Sequence, residues 1–283
     1  MKDERPRDLP GLHNIVAYHE GFYSGGVPEG DAALTLLKAM GIKTIISVDG
    51  AEPDVEQAKL VGIRYIHLPI GYNGFDEKRK LELTRATRDA LQDGPVYIHC
   101  HHGKHRSAGA AGAVAASLGW MTPEEAVERM KVSGTAPNYE GLYACAANAT
   151  ELDPKLIDAV PANFPEVSHP ATFVKAMVEI DEINDHLKLI EKAGWQSPAD
   201  HPDLVPAAEA GRLADLFRIS AESTKAKSKP PTFLGALKQD AERIAALEAM
   251  LIAQEKYKDI KKLSDTFKQV QASCKDCHTK YRD

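Results

Sequence analysis

The chain has few cysteines, no long hydrophobic run and no excess of positive charge. Only four of its 283 residues are cysteine, too few for a scaffold held together by disulfides. Each cysteine therefore has to be judged by the residues around it. The length corresponds to about two domains of ordinary size, which can bury a core without covalent cross-links.

Charge and hydropathy exclude two classes of partner. Asp and Glu number 41 against 35 Lys and Arg, a formal net charge of −6, so we expect no nucleic-acid partner. The longest small-apolar run, 108–118, is interrupted by Gly109 and Gly112, so we expect no membrane span. No apolar stretch follows Met1–Asp8. We therefore expect no signal peptide in this numbering, which leaves a cytoplasmic protein or the mature part of an exported one.

Residues 14–150 alternate between β-branched apolar runs and helical patterns. The runs 43–48, 64–68 and 95–99 predict buried strands. The helical patterns are 31–40, 53–61, 76–91, 107–118, 122–131 and 139–147. This alternation predicts an α/β domain over residues 1–151, with a mainly parallel sheet flanked by helices.

The rest of the chain has a different texture. Four prolines fall within residues 152–170, which we interpret as a linker. From residue 171 onward, apolar residues recur at intervals of three and four, with no strand pattern. Four such segments with short connections predict an all-α four-helix bundle over residues 171–283.

A loop with a cysteine and an arginine at fixed spacing follows the third predicted strand. Cys100 and Arg106 stand six positions apart around Gly103, directly before a helix. Such a loop points backbone N–H groups inward, and the helix dipole adds to them, so the loop would bind an oxyanion. The same field favours the nucleophilic thiolate of Cys100. Arg106 would hold two phosphoryl oxygens, and Ser107 would donate a hydrogen bond to the departing sulfur.

The Cys-x5-Arg spacing resembles the signature of protein tyrosine and dual-specificity phosphatases. The stretch 103–106 is similar to the atypical dual-specificity phosphatases of plants and fungi. The resemblance implies a hydrolase that cleaves a phosphomonoester or phosphoanhydride through a thiophosphoryl intermediate on Cys100, without a metal. It implies a phosphoprotein, inositol phosphate or inositol pyrophosphate as substrate, and a brace on the loop from Asn138. The alternative is a turn of small residues with an incidental cysteine.

Two features of this candidate site stay open in the sequence. Asp76 is the nearest carboxylate for the family's general acid, but it lies closer to Cys100 than usual and could equally cap the next helix. The candidate phosphate-binding residues are His101, His102, Gly103, Lys104, His105 and Arg106. In one interpretation their side chains are solvated and the loop backbone alone binds the phosphate. In the other, their cationic side chains give the site a preference for a highly phosphorylated substrate.

The end of the chain carries Cys274-Lys275-Asp276-Cys277-His278. Cys-x-x-Cys-His is the attachment motif of c-type haem. On a helix, both cysteines would lie on one face, and His278 could reach the iron as the proximal ligand. A thiol redox pair or half of a zinc site are the alternatives.

This motif at the end of a four-helix bundle resembles the cytochrome c′ and cytochrome c556 family, as does the ending Tyr281-Arg282. The resemblance implies covalently attached haem c, with Met177 either as the sixth iron ligand or as simple core packing. It also leaves a homodimer and a redox partner open. Covalent haem attachment implies a periplasmic or other extracytoplasmic location; without haem, a cytoplasmic one is expected.

Together the two motifs predict a cysteine-dependent phosphatase fused to a c-type haem bundle. The alternative is a haem-based sensor or electron-transfer protein whose phosphatase-like domain only binds a phosphorylated ligand.

Overall fold

The computed structural model describes residues 4–168, 173–253 and 259–281. The chain divides into two compact units, Met1–Ser168 and His169–Asp283. One sheet is built in the first unit from β1 (Arg7–Leu9), β2 (Leu12–His19), β3 (Phe22–Gly25), β4 (Thr44–Ser47), β5 (Arg64–His67) and β6 (Val96–His99).

The sheet has the strand order β1-β2-β3-β6-β4-β5. The pairs β3–β6, β4–β6 and β4–β5 are parallel, whereas β1–β2 and β2–β3 are antiparallel. The three strands predicted from the sequence are β4, β5 and β6. The sequence interpretation missed the antiparallel strands because β2 does not alternate cleanly between buried and exposed residues, and its register shifts against both neighbours.

Helices cover this sheet, as the sequence predicted. They are α1 (Gly30–Ala39), α2 (Val55–Leu60), α3 (Glu77–Ala90), α4 (Arg106–Ser117), α5 (Pro123–Val132), α6 (Glu140–Ala147) and α7 (Pro154–Asp158). Thr122 and Glu125 form the capping box at the start of α5. Every residue of α4 is buried, because its many small Ala and Gly residues let neighbouring elements approach closely. This burial fixes the N-terminus of α4 against the end of β6.

Much of the predicted linker, 152–170, packs on the first unit. Within it, α7 contacts α3, where Arg88 pairs with Asp158 at 2.6 Å. Further along, Lys59 pairs with Glu166 at 2.8 Å. These contacts place the end of the first unit at Ser168, and residues 169 and 170 of the predicted linker lie outside the described residues.

The described part of the second unit is helical. It contains α8 (Phe173–Lys192), α9 (Pro206–Glu222), α10 (Thr224–Lys227), α11 (Pro231–Ala253) and α12 (Ile260–Tyr281). The four long helices correspond to the four predicted segments, although residues 171 and 172 at the start of the first lie outside the described residues. The helices bury Trp195 completely, and its ring meets Phe267 edge to face at 5.8 Å. Among the described residues, no helix is long and apolar enough to cross a bilayer.

Candidate active site and candidate haem site

Cys100 and Arg106 lie at the two ends of the loop that joins β6 to α4. Both side chains are almost fully buried, with 3% and 2% of their surface exposed. The Cys100 Sγ lies 3.4 Å from the Ser107 Oγ, which also lies 3.3 Å from the carbonyl oxygen of Gly25 and can donate to it. Because a hydroxyl has a single hydrogen, Ser107 can donate either to Gly25 or to an ionised sulfur. The three residues that were expected to act together are therefore brought together.

The carbonyl groups of this loop are held by partners outside it. Val27 N donates to the carbonyl oxygen of His101 at 3.1 Å, and Asn14 Nδ2 donates to that of Gly103 at 2.9 Å. Thr135 Oγ1 donates to the carbonyl oxygen of Lys104 at 2.5 Å. Carbonyls drawn outward in this way leave the opposite side of the loop to backbone N–H groups and the α4 N-terminus, the arrangement that binds anions.

Gly103 is required at its position for two reasons. Its φ is +74°, a region that disfavours side chains, and an added Cβ would lie 2.3 Å from the Gly26 nitrogen. The loop therefore passes directly over the end of β3.

Two side chains that the sequence interpretation missed contact Arg106. The Tyr72 ring lies 4.3 Å from the guanidinium carbon, and Arg106 Nη2 donates to the Tyr72 hydroxyl at 3.1 Å. Arg106 Nη2 also forms an ion pair with Asp49 Oδ1, at 3.6 Å. Asp49 follows β4, the strand beside β6, so only the strand order brings it to Arg106.

The loop histidines do not act alike. His102 and Lys104 are exposed, and His101 is half-buried. His105 is buried against the Tyr139 ring, with 4.2 Å between ring centres. Burial, with smaller contributions from the nearby positive charges, lowers the pKa of His105 to about 3, so the ring is neutral. The expectation that its side chain adds to the cationic surface is therefore wrong.

The structure places Asp76 as the N-cap of α3. Its Oδ1 accepts a hydrogen bond from Arg79 N at 2.8 Å, and the side chain is exposed. The sequence left two roles open for Asp76, and this geometry is that of the helix cap. The loop before it is held by Cys145, whose Sγ lies 3.3 Å from Phe75 N.

A cavity in the second unit brings the Cys-x-x-Cys-His residues and Met177 together. Its volume is about 610 Å³, within the range of small-molecule and cofactor sites. Cys274, Cys277 and His278 line it from α12, and Met177 lines it from α8. The cavity wall is otherwise mainly apolar, with Phe173, Val178, Ile180, Phe217, Phe233 and Leu237.

The donor set of this cavity fits a covalently attached haem. Two thiols three positions apart can bond the vinyl groups, an imidazole follows the second, and the aromatic and aliphatic lining suits a porphyrin face. Burial raises the pKa of the Cys274 thiol to about 11, with a smaller contribution from Asp240. In the described parts of the chain, no group of three or more His, Cys, Asp and Glu side chains is placed to hold a metal ion by itself. Arg282 of the expected Tyr281-Arg282 ending lies outside the described residues.

These geometries define the class of each unit: an α/β domain with a buried thiol and guanidinium on an anion-binding loop, and a helical unit with a Cys-x-x-Cys-His cavity. The family model described as Cytochrome C' matches residues 205–282. The match includes Cys274, Cys277 and His278 but not Met177. No curated protein matches the chain.

Solved structures similar to this chain cover its first half. TpbA of P. aeruginosa is 22% identical, with a TM-score of 0.39, covering 50% of this chain and 96% of that chain. The catalytic core of the PP-IP phosphatase SIW14 of S. cerevisiae, in complex with citrate, is 18% identical, with a TM-score of 0.35, covering 56% of this chain and 88% of that chain. Kinase associated phosphatase, with its catalytic-site cysteine changed to serine, is 16% identical, with a TM-score of 0.41, covering 50% of this chain and 94% of that chain.

Proposed function

We propose that the first unit is a cysteine-dependent phosphatase. The observation that carries the proposal is the buried triplet Cys100, Arg106 and Ser107 around a loop whose carbonyls are drawn outward. A thiol, a guanidinium and converging N–H groups are what an in-line attack on a phosphate ester needs. The phosphate-binding residues would be 101–106, chiefly through their backbone.

In this mechanism the Cys100 thiolate attacks phosphorus, and a bond forms between sulfur and phosphorus. The bond from phosphorus to the leaving oxygen breaks, and its electron pair goes to that oxygen. Arg106 and the loop N–H groups stabilise the charge on the equatorial oxygens in the transition state. Water then cleaves the thiophosphoryl bond, releasing phosphate, while Ser107 donates a hydrogen bond to the departing sulfur.

The source of the leaving group's proton separates two substrate classes. Asp76, the general acid expected from the family resemblance, accepts the cap hydrogen bond of α3 through its Oδ1. A phosphoanhydride needs less protonation, because its leaving group is itself a phosphate. The exposed side chains of His102 and Lys104 on this loop favour a highly phosphorylated substrate, so we propose inositol phosphates or pyrophosphates ahead of phosphoproteins.

Turnover of an aryl phosphate by the wild type, Cys100→Ser and Cys145→Ser tests the phosphatase. Cys145 is the matched control because it is the other thiol of the first unit. We expect Cys100→Ser to abolish turnover while Cys145→Ser keeps most of it. Equal rates for Cys100→Ser and the wild type would refute the mechanism. A panel of phosphopeptides, inositol phosphates and inositol pyrophosphates then ranks the substrate classes.

For the second unit we propose a c-type haem domain. Cys274 and Cys277 would hold the haem covalently, with His278 as proximal and Met177 as sixth iron ligand. Their shared lining of one apolar cavity supports this assignment. The bound group would supply redox or gas-binding chemistry. Covalent attachment would place the protein in the periplasm or another extracytoplasmic compartment, where a redox partner could reach it.

A visible spectrum of protein produced with haem-maturation machinery tests this second proposal. We expect a Soret band that stays with the denatured wild-type polypeptide and disappears in the double variant Cys274→Ala with Cys277→Ala. Absence of the band in the wild type would leave a plain thiol pair. If haem is present but the first unit binds phosphate without turnover, the sensor or electron-transfer alternative replaces the phosphatase. Sedimentation of the loaded protein decides whether it forms a homodimer.

A further inference from the structure

Asp49 is a buried carboxylate next to Arg106, and the proposed mechanism gives it no role. Arg106 belongs to the loop of residues 100–106, which we call the phosphate loop. Only 3% of its surface is exposed, and its carboxylate lies 3.6 Å from Arg106 Nη2. Arg106 is thus held between this carboxylate and the Tyr72 ring. A buried carboxylate beside a guanidinium restricts where the guanidinium can go, because breaking the pair leaves charge without compensation.

His67 links the backbone of Asp49 to a distant segment. The His67 Nδ1 accepts the N–H of Ser168 at 3.1 Å, so this nitrogen carries no hydrogen. The hydrogen is therefore on Nε2, which donates to the carbonyl oxygen of Asp49 at 2.8 Å. Burial also lowers the pKa of His67, in agreement with this neutral form.

The segment 165–168 is fastened to β5 at His67 itself. His67 N donates to the carbonyl oxygen of Pro165 at 2.9 Å, and Ser168 Oγ donates to that of His67 at 2.6 Å. With the bond from Ser168 N, three hydrogen bonds join this segment to one residue. The His67 ring also donates to the Asp49 carbonyl oxygen. Hydrogen bonds therefore connect the end of the first unit to Asp49, the residue paired with Arg106.

We propose that Asp49, held by His67 and Ser168, is a positioning residue for Arg106. The proposal rests on the phosphatase function given above. Asp49 fixes the guanidinium where it meets the equatorial oxygens of a phosphoryl group, and His67 fixes the backbone that carries Asp49. Residues 165–168 thereby set the geometry of the phosphate loop without touching substrate.

Asp49→Asn tests the first link, because asparagine keeps the shape of the side chain and removes its charge. We expect kcat/KM to fall roughly 10- to 100-fold, as a misplaced binding group typically causes. The fall should be the same for p-nitrophenyl phosphate and phenyl phosphate, since Arg106 acts on the phosphoryl group and not on the leaving group. Asp54→Asn, an exposed helix cap nearby in sequence, is the matched control and should leave both rates unchanged.

A loss of activity confined to phenyl phosphate would make Asp49 the proton donor and overturn the positioning role. Wild-type rates for Asp49→Asn would also overturn it. Calorimetry with inorganic phosphate separates this inference from the proposed function. If the wild type binds phosphate but turns nothing over, the phosphatase proposal fails, while weaker binding by Asp49→Asn still supports positioning. Equal phosphate affinity of the two proteins, together with equal kcat/KM wherever there is turnover, refutes positioning.

A pair of substitutions at His67 tests the second link. The amide nitrogen of His67→Gln can take the place of Nε2 and reach the Asp49 carbonyl, whereas the shorter His67→Asn cannot. We expect His67→Asn to lower kcat/KM about 10-fold, and His67→Gln to restore most of it. The double variant Asp49→Asn with His67→Asn should be no worse than Asp49→Asn alone, because both act through one path. Equal defects in the two His67 variants, or additive losses, would overturn the link.

Discussion

Asn14 Nδ2 donates a 2.9 Å hydrogen bond to the carbonyl oxygen of Gly103 and a 2.8 Å hydrogen bond to that of Ser133. One buried amide thereby joins β2, the phosphate loop and the end of α5. Asn14 adopts a left-handed φ of 58°, which asparagine tolerates better than most residues. Asn14 therefore braces the phosphate loop through the carbonyl oxygen of Gly103. The brace that the family resemblance implied for Asn138 stays a prediction.

Asn14→Gly should weaken both the fold and the anion site. Glycine accepts the left-handed backbone, so the loss reports the missing amide and not strain. Two buried carbonyls lose a donor, which should lower the free energy of unfolding by about 1–3 kcal/mol. Phosphate affinity should fall as well, because the Gly103 carbonyl is released. Urea unfolding and phosphate titration check both effects, and a larger defect for Asn138→Gly would contradict the assignment to Asn14.

The sequence predicted what local patterns encode. The strands β4, β5 and β6, the six helices of residues 31–147 and the capping box at Thr122 all follow from apolar periodicity and cap residues. The adjacency of Cys100, Arg106 and Ser107 follows from a short loop before a helix. The four long helices of the second unit follow from the same periodicity.

The sequence could not predict contacts that depend on strand order. Asp49 reaches Arg106 only because β4 pairs with β6, and Asn14 reaches Gly103 only because β2 and β3 precede β6 in the sheet. His105 looks like its exposed neighbours in the sequence. Its burial against Tyr139 depends on the packing of α6, which no local pattern specifies.

Acidification should destabilise the first unit before its carboxylates are protonated. Burial lowers the pKa of His105 to about 3 and that of His99 to about 4, from 6.5. Below pH 6.5 the unfolded chain therefore binds more protons than the folded one, so stability falls as the pH falls. Each histidine contributes a slope approaching about 1.4 kcal/mol per pH unit.

Urea unfolding between pH 7 and pH 5 measures this slope, with the transition of the first unit identified by hydrogen exchange of its peptides. His105→Gln should flatten the slope by about one histidine's share. An unchanged slope in that variant would show that His105 titrates in the folded protein as it does in the unfolded chain.

Cys145 should react slowly with alkylating reagents. Burial raises the pKa of its thiol, so little thiolate is present near neutral pH. In haem-free protein at pH 7.5, we expect iodoacetamide to modify Cys145 more slowly than it modifies free glutathione. Mass spectrometry of the Cys145 peptide against time gives the rate. A rate equal to that of glutathione would mean that the loop around Phe75 opens readily.

Met177→Leu should change the haem spectrum if Met177 is the sixth ligand. Leucine keeps the apolar volume but offers no sulfur, so the ferric iron would pass from low to high spin. Val178→Leu, at a neighbouring lining position, is the control and should keep the wild-type spectrum. A high-spin spectrum in the wild type, unchanged in Met177→Leu, would assign Met177 to packing.

Rapid acid quench of the enzyme during turnover of an aryl phosphate tests the central claim most directly. Phosphothiol linkages can be trapped in this way and located by peptide mass spectrometry. We predict a phosphoryl group on the Cys100 peptide that forms before steady state, disappears as substrate is consumed and does not form in Cys100→Ser. Steady turnover with no phosphoryl group on Cys100, and the same turnover in Cys100→Ser, would contradict a cysteine-dependent mechanism.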